Sequence, residues 1–400
     1  MNGQRTVRRI GGVVGVVVAA LLLPLLPARA EPYLAVREGV KCSGCHSNLS
    51  GGGKRTDIVA THAKDLLHYP SFLGKFSNPP EYFTGEINQY VGLGANLRVS
   101  NTAVFEDLGA NGRVDNNKVF RGRLEENRLD VTQAVMYAEL RLIPDKLLLY
   151  VDQRLQPQTD NREAFALLKG VFPWKGFVKA GRMFLPYGLQ LQDDGAFIRG
   201  GTNGSVNTGF SFNQQQAGVE IGVEPGPLSA MLAITDGPPG DRDVQVTGTL
   251  YTLFDELPVV RNVLAGVSFS RVGPPSTQTT LFGFYAGTNI ERFSFLSEVD
   301  FREDENATTN GRSIGRFILY GEVDYLAFDW LNIKAAIDYA DDDGDLASRG
   351  NDSENRISFG LEPFLNRFLQ PRLFYRIGNG VKSRPDHNQN VLLAELNVFF

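Results

Sequence analysis

Cysteine is nearly absent from this chain. Its 400 residues contain two, Cys42 and Cys45. Two thiols this close in sequence cannot brace a fold, so a disulfide framework is excluded as its source of stability. Histidine is scarce as well, at four residues, which leaves little material for a zinc centre. Basic charge is in deficit: 40 Lys and Arg stand against 45 Asp and Glu, for a formal net charge of −5. That balance argues against nucleic acid or anionic lipid as a partner. Beyond residue 30 no apolar run is long enough for a membrane-spanning helix. What is plentiful is glycine, phenylalanine and tyrosine, at 43, 27 and 13 residues, a mixture suited to strands and turns.

The first thirty residues read as an export leader. Arg5, Arg8 and Arg9 form a basic start, Ile10 to Leu26 an apolar run, and Ala28-Arg29-Ala30 a small-x-small cleavage site. The run could instead be a retained anchor, but Pro24, Pro27 and the cleavage site favour removal, with the mature chain beginning at Glu31. With the leader go four arginines, so the mature chain is more acidic still.

Both cysteines belong to one motif, Cys42-Ser43-Gly44-Cys45-His46. Covalent haem attachment needs two thiols to add across the vinyl groups of one porphyrin, and an imidazole directly after the second thiol to reach the iron. The C-x-x-C-H spacing supplies both. A redox disulfide would not require His46, and a zinc site would need further thiolates or imidazoles nearby. The segment from Glu31 to Pro80 is therefore expected to be a small helical unit carrying one covalent c-type haem, with His46 as proximal ligand. Thr56 or Asp57 can cap a helix ending before Pro70, on which Val59, His62, Leu66 and Tyr69 share a face. His62 is the candidate second iron ligand. Met183 is a rival, while the strand pattern around Met136 turns that residue outward.

From Glu81 to Phe400 the pattern has period two. Val91, Leu93, Ala95, Leu97 and Val99 alternate with polar residues in a run that extends from Gly85 to Ser100. Ala134 to Leu142, Phe293 to Arg302 and Leu331 to Tyr339 behave alike. Such strands fit a soluble sandwich or a membrane barrel with a wet lumen, and their length of about ten residues or more favours the barrel. Short connections such as 144–146, 173–175, 224–227, 290–291 and 328–329 alternate with longer polar ones such as 105–126, 186–213, 303–312 and 341–353. Counting between them gives sixteen strands, an even number with short turns at one end and long loops at the other. The expected fold is all-β: a 16-stranded antiparallel outer-membrane barrel with a small N-terminal haem segment, exported across the inner membrane of a Gram-negative cell.

Glu139, Arg141, Asp152, Arg154, Glu298, Asp300, Arg302, Glu322 and Asp324 fall on the inward face of these strands and predict a charged lumen. Glu303-Asp304-Glu305 and Asp341-Asp342-Asp343-Gly344-Asp345 fall on the long-loop side, where dense carboxylates suit a hard divalent cation or simply a solvated loop. No nucleophile triad, phosphate-binding glycine loop or zinc-enzyme motif is present.

A leader, one haem motif and a sixteen-strand barrel in one chain resemble the fused monohaem cytochrome–porin family of outer membranes. The matching residues are Tyr33 to Lys41, Cys42 to His46 and the C-terminal Phe400, so the likeness covers the chain in architecture and is residue-specific only around the motif. The resemblance implies an outer-membrane electron conduit between an extracellular donor or acceptor and periplasmic electron-carrier cytochromes, with ferrous iron as one such donor. Family members follow the motif with a phenylalanine-rich stretch. Here Ser47-Asn48-Leu49-Ser50 and a glycine triplet stand instead, so the electron-transfer role is implied more directly than the iron donor. The alternative is a small-solute porin whose haem segment is a plug or sensor.

Overall fold

A segment that alternates apolar and polar side chains must put one face in oil and the other in water, and a strand surrounded by lipid must also pair both its edges. Closure satisfies both demands. The computed structural model describes residues 32–56, 69–77, 79, 81–106, 123–191, 193, 195–200, 210, 215–237, 243–256, 260–274, 278–307, 311, 313–341, 353–379 and 389–400. The leader, the proposed helix after Thr56 with His62, and Asp342 to Asp345 lie outside the described residues.

Two short helices come first, α1 (Pro32–Glu38) and α2 (Cys42–Cys45). The strands β1 to β8 are Val91–Glu106, Arg123–Ile143, Leu147–Gln156, Asp160–Lys169, Phe177–Met183, Gln216–Val223, Leu228–Asp236 and Val244–Glu256. Strands β9 to β16 are Arg261–Val272, Thr279–Ile290, Phe293–Asp304, Ile314–Phe328, Leu331–Asp341, Ser353–Pro363, Leu369–Asn379 and Gln389–Phe399. Each pairs antiparallel with its sequence neighbours, and β1 pairs with β16 from Asn96↔Phe399 to Glu106↔Gln389. The sheet therefore has no free edge, and the fold is the expected closed barrel of sixteen antiparallel strands.

The alternation sorts the two faces. Met136, Leu140, Phe282, Phe284, Ile333, Ile337, Phe359 and Leu361 are exposed on the outside, whereas Glu139, Asp152, Glu298, Asp300, Glu322 and Asp324 are buried within. An apolar exterior around a polar interior is how strands cross a bilayer. Phe172, Trp174, Phe328 and Phe72 are exposed at the end bearing the short turns, and Phe72 meets the Trp330 ring edge-on at 5.8 Å. They supply aromatic side chains where a girdle is expected. Among the described residues no helix is long and apolar enough to cross a membrane.

Two expectations change. The alternation from Gly85 reads as one strand, but β1 begins only at Val91. Gly85 takes a positive φ of 87°, and a Cβ there would lie 2.4 Å from the Leu93 carbonyl oxygen. The chain instead folds back, with Leu93 N donating to Gly85 O at 2.6 Å and the Asn88 carboxamide accepting from Tyr90 N and Val91 N. The second change concerns the connection 186–213. Its length places it among the outer loops, yet residues 184–200 turn into the barrel, where Leu185, Tyr187, Leu189, Phe197 and Ile198 are buried.

Candidate functional site

The Cys42-Ser43-Gly44-Cys45-His46 motif forms a single turn. His46 N donates to Cys42 O at 3.0 Å, closing α2, and His46 itself is extended at φ −125°. The chain then doubles back, with His46 bridging Arg55, Ser47 N donating to Lys54 O, and Thr56 donating from N to Cys45 O and from Oγ1 to Gly44 O. Thr56 thus closes the motif loop. Both cysteines are free thiols. Burial pushes the Cys42 thiol up to about 11, with Cys45 and Glu224 adding to the effect, and burial raises Cys45 as well.

The glycine triplet lets Gln190 and Tyr150 pack against the chain that follows the motif. Gly51, Gly52 and Gly53 take φ values of 101°, 77° and 69°. A Cβ on Gly51 would lie 3.5 Å from Cys42 Cβ and 2.5 Å from Gln190 Oε1, and one on Gly53 would overlap the Tyr150 hydroxyl. The Cys42-Cys45 pair on one turn and the buried Nδ1 edge of His46 are the donor set that covalent haem attachment needs.

This segment lies inside the mouth that carries the short turns. Lys41 Nζ donates to Gly226 O and Leu228 O at 2.8 and 2.6 Å, and Ser43 Oγ donates to Glu224 Oε2 at 3.0 Å, all at the turn joining β6 to β7. Asn262 of β9 donates to Arg37 O at 2.6 Å. Deeper in, Asn48 Nδ2 donates to Glu163 at 3.2 Å and Ser50 Oγ to Glu220 at 2.7 Å, while Lys179 Nζ donates to Asn48 Oδ1 and pairs with Glu220 at 2.8 Å. Lys179 and Glu220 are both fully buried. Separating such a pair costs about 3–5 kcal/mol, because a bare charge is left in a dry place. The wall and the segment were built for each other.

At the rim, Lys54, Glu86, Glu139 and Arg141 form a clasp, with Arg141 Nη2 donating to Glu86 Oε2 at 2.6 Å and Lys54 Nζ pairing with Glu86. Burial pushes the Glu86 carboxyl up, but the hydrogen bonds and charges of Lys54 and Arg141 outweigh it and hold the group below its ordinary 4.5. A depressed carboxyl stabilises the docked state fully above that value and ceases to as pH falls through the lower, folded one. Acidification below pH ~4.5 is therefore expected to speed protease cleavage within residues 32–56, and Glu86→Gln to remove that pH step; an identical acid step in Glu86→Gln would rule the clasp out.

Above the segment sits the inward loop 184–200. Arg199 Nη2 pairs with Glu298 at 2.7 Å, Leu189 N donates to Glu298 at 2.6 Å, Tyr187 OH donates to Asp300 at 3.0 Å and Phe197 N donates to Asp338 at 2.9 Å. Asp193 accepts from Arg376 Nη2 at 2.9 Å and lies 3.7 Å from Arg356. Burial raises its carboxyl, but Arg376 and Arg356 more than compensate and hold it well below the carboxylate range. Between this loop and β1, β13, β14, β15 and β16 remains a cavity of about 230 Å³, lined by Arg98, Lys334, Arg372, Arg376, Asp193 and Glu395 among others.

The structure thus gathers Cys42, Cys45 and His46 in the lumen, with every inward carboxylate expected there. Met136 is exposed on the outside, and Met183 is fully buried on the inward face of β5. Asp304 of the first acidic loop is taken up by Arg302, Arg316 and Thr279, and no cluster of metal-binding side chains occurs among the described residues, so that half of the cation-site expectation is not supported. Sequence reasoning missed Asn48, Ser50, Lys179 and Glu220. Their signal was a lysine at an inward position of β5 and a polar, glycine-rich stretch after the motif, which only the docked partners explain.

No protein-family model and no curated protein matches the chain. Solved structures do. A loop L8 deletion mutant of OmpT, an outer membrane protein of Vibrio cholerae, superposes with a TM-score of 0.53 at 14% identity, covering 78% of this chain and 99% of that one. The outer membrane channel DcaP of Acinetobacter baumannii gives 0.52 at 13%, covering 78% and 97%. The anion-selective porin from Comamonas acidovorans gives 0.51 at 12%, covering 78% and 99%. At such identities the likeness is one of fold, and the fold this chain shares is that of outer-membrane porins.

Proposed function

We propose that the chain is an outer-membrane electron conduit: a porin-fold barrel whose N-terminal segment holds one covalent c-type haem inside the short-turn mouth. The observation that carries this reading is the position of Cys42-Ser43-Gly44-Cys45-His46 within the barrel, tied by Lys41 and Ser43 to the turn between β6 and β7. Short turns of such barrels face the periplasm, so carrier cytochromes meet that mouth and the external donor or acceptor meets the long-loop end. Cys42 and Cys45 would hold the porphyrin and His46 the iron. His62 remains the proposed second ligand, with the inward Met183 as the rival inside the lumen. Bound there, the haem supplies one-electron redox chemistry, and the protein supplies ligation, burial and orientation. Lys41, Ser43 and Thr56 orient the motif, Lys179 with Glu220 fixes its inner side, and the inward loop keeps bulk water from it.

The test is anaerobic addition of ferrous iron to the oxidised, detergent-purified protein while following the haem absorption bands. Rapid reduction, lost when His46 is replaced, makes ferrous iron the donor. A haem that stays oxidised with iron but accepts electrons from a stronger reductant keeps the conduit and discards iron. A protein with no haem bands discards the conduit.

A second reading, a small-solute porin with a haem-bearing plug, draws support from the shared porin fold and from the cavity bounded by Arg98, Arg372 and Arg376.

A further inference from the structure

A buried arginine needs an anion. Its guanidinium keeps the proton at any ordinary pH, so it cannot neutralise itself in a dry place as a lysine can. Buried guanidiniums elsewhere in the lumen have their anions: Arg199 pairs with Glu298, Arg356 with Asp338 and Arg372 with Glu395. Arg37, in the last turn of α1, stands apart. Its Nε and Nη2 are buried, and neither has a hydrogen-bond partner among the described residues. The guanidinium lies over the ring of Tyr33, with Cζ 5.3 Å from the centroid. Lys334 is 5.0 Å from the same ring, but Glu322 matches its charge at 3.1 Å. Arg37 is also fixed at both ends. Asn262 Nδ2 donates to its carbonyl oxygen at 2.6 Å, and the Tyr33 ring against its head group is fully buried. The end of α1 rests directly on the motif. Gly39 N and Val40 N donate back to Val36 O and Ala35 O, and a Cβ on Gly44 would fall 2.6 Å from Val40 Cγ1. Four residues separate Arg37 from Cys42, and these contacts fold them into an elbow.

We propose that Arg37 binds a propionate carboxylate of the covalent haem through its Nε–H and Nη2–H edge. The inference rests on the conduit reading and adds a residue to that site. Nε–H and Nη2–H are neighbouring donors on one side of the guanidinium, an edge that takes both oxygens of a carboxylate at once. A porphyrin joined through its vinyl carbons to Cys42 and Cys45 carries two propionates on another edge of the ring. Inside a mouth packed with protein, such a carboxylate needs a cation as much as Arg37 needs an anion. Because Asn262 and Tyr33 already hold Arg37, little side-chain freedom is lost when the pair forms. The pair has a redox consequence. An unneutralised carboxylate close to the iron favours the ferric state, so a propionate neutralised by Arg37 makes the ferrous state easier to reach.

The test uses detergent-purified holoprotein, with resonance Raman spectra and a potentiometric titration of the haem. Arg37→Gln should shift the propionate-bending band and lower the midpoint potential by about 59 mV, which is tenfold in a one-electron equilibrium. Arg37→Lys keeps the charge and loses the two-pronged edge, so its band should shift while its potential stays near that of the wild type. Single-channel conductance should match the wild type in both variants, because Asn262 holds a backbone atom of residue 37 that neither substitution removes. If Arg37→Gln conducts more than the wild type, its segment has left the mouth and the Raman band of Arg37→Lys decides instead. A wild-type band in the deciding variant overturns the inference and leaves the conduit standing. A lowered potential with an unmoved band overturns it too, since a charge acting at a distance needs no contact with the propionate. A wild type without haem bands overturns the conduit reading first.

Discussion

Replacing both Cys42 and Cys45 with serine is expected to abolish covalent haem: the protein should lose its haem-dependent peroxidase stain on denaturing gels and its absorption near 400 nm, while remaining a heat-modifiable, folded barrel. The reason lies in the division of labour. The motif touches the wall through Lys41, Ser43, Asn48, Ser50 and Lys54, none of which is a cysteine. The thiols make one turn of α2 and pack beside Tyr251 and the glycine triplet. Serine keeps the size and backbone of cysteine, so docking should survive. Single replacements should leave a haem held by one thioether, with altered bands. Retention of covalent haem in the double variant would end the assignment of this motif.

Deleting residues 32–56 is expected to raise single-channel conductance in planar bilayers severalfold. Sixteen-stranded barrels without a plug enclose an aqueous channel, and here that space is filled at one mouth by α1, α2 and the loop to Thr56. Tyr33 and Val36 are buried against β9, β10 and β11, so the segment is packed and not merely tethered. Barrel closure depends on the β1–β16 ladder and should outlast the deletion. The buried Lys179–Glu220 pair remains intact and becomes hydrated. With the inward loop still in place, the opened pore should be narrow. Milder variants give a second test: Asn48→Ala and Ser50→Ala each remove hydrogen bonds to buried charges, at about 1–3 kcal/mol, and should produce intermittent openings. Equal conductance with and without the segment would favour a porin in which it plays no part in closing the lumen.

Much of this molecule could be read from its residues one element at a time. Period-two alternation is a local property, and it specified both faces of the wall: Glu298 and Asp300 point in, and Phe282 and Phe284 point out, as their spacing requires. Turn length is also local, and it assigned the two ends of the barrel. Alternation misled at Gly85 to Tyr90, where Ile87 keeps the rhythm of a strand but is 55% exposed in a turn. There a positive φ at Gly85 and the Asn88 carboxamide, neither of which alternation senses, bend the chain back.

What the sequence could not determine was which long connection goes outside and which goes in. The direction of loop 184–200 is set by Glu298, Asp300 and Asp338 on strands more than a hundred residues away. The placement of the N-terminal segment has the same origin. Its C-x-x-C-H motif was legible because it occupies five adjacent positions. Its berth required Glu163, Lys179, Glu220 and Glu224 to converge from β4, β5, β6 and the turn after β6, and convergence of inward side chains is a property of closure. The sequence alone therefore determined the strands, their two faces and the motif, since each depends on near neighbours. Only the closed tertiary structure decided that the motif sits inside the barrel, because contacts across a lumen leave no periodic trace in the chain.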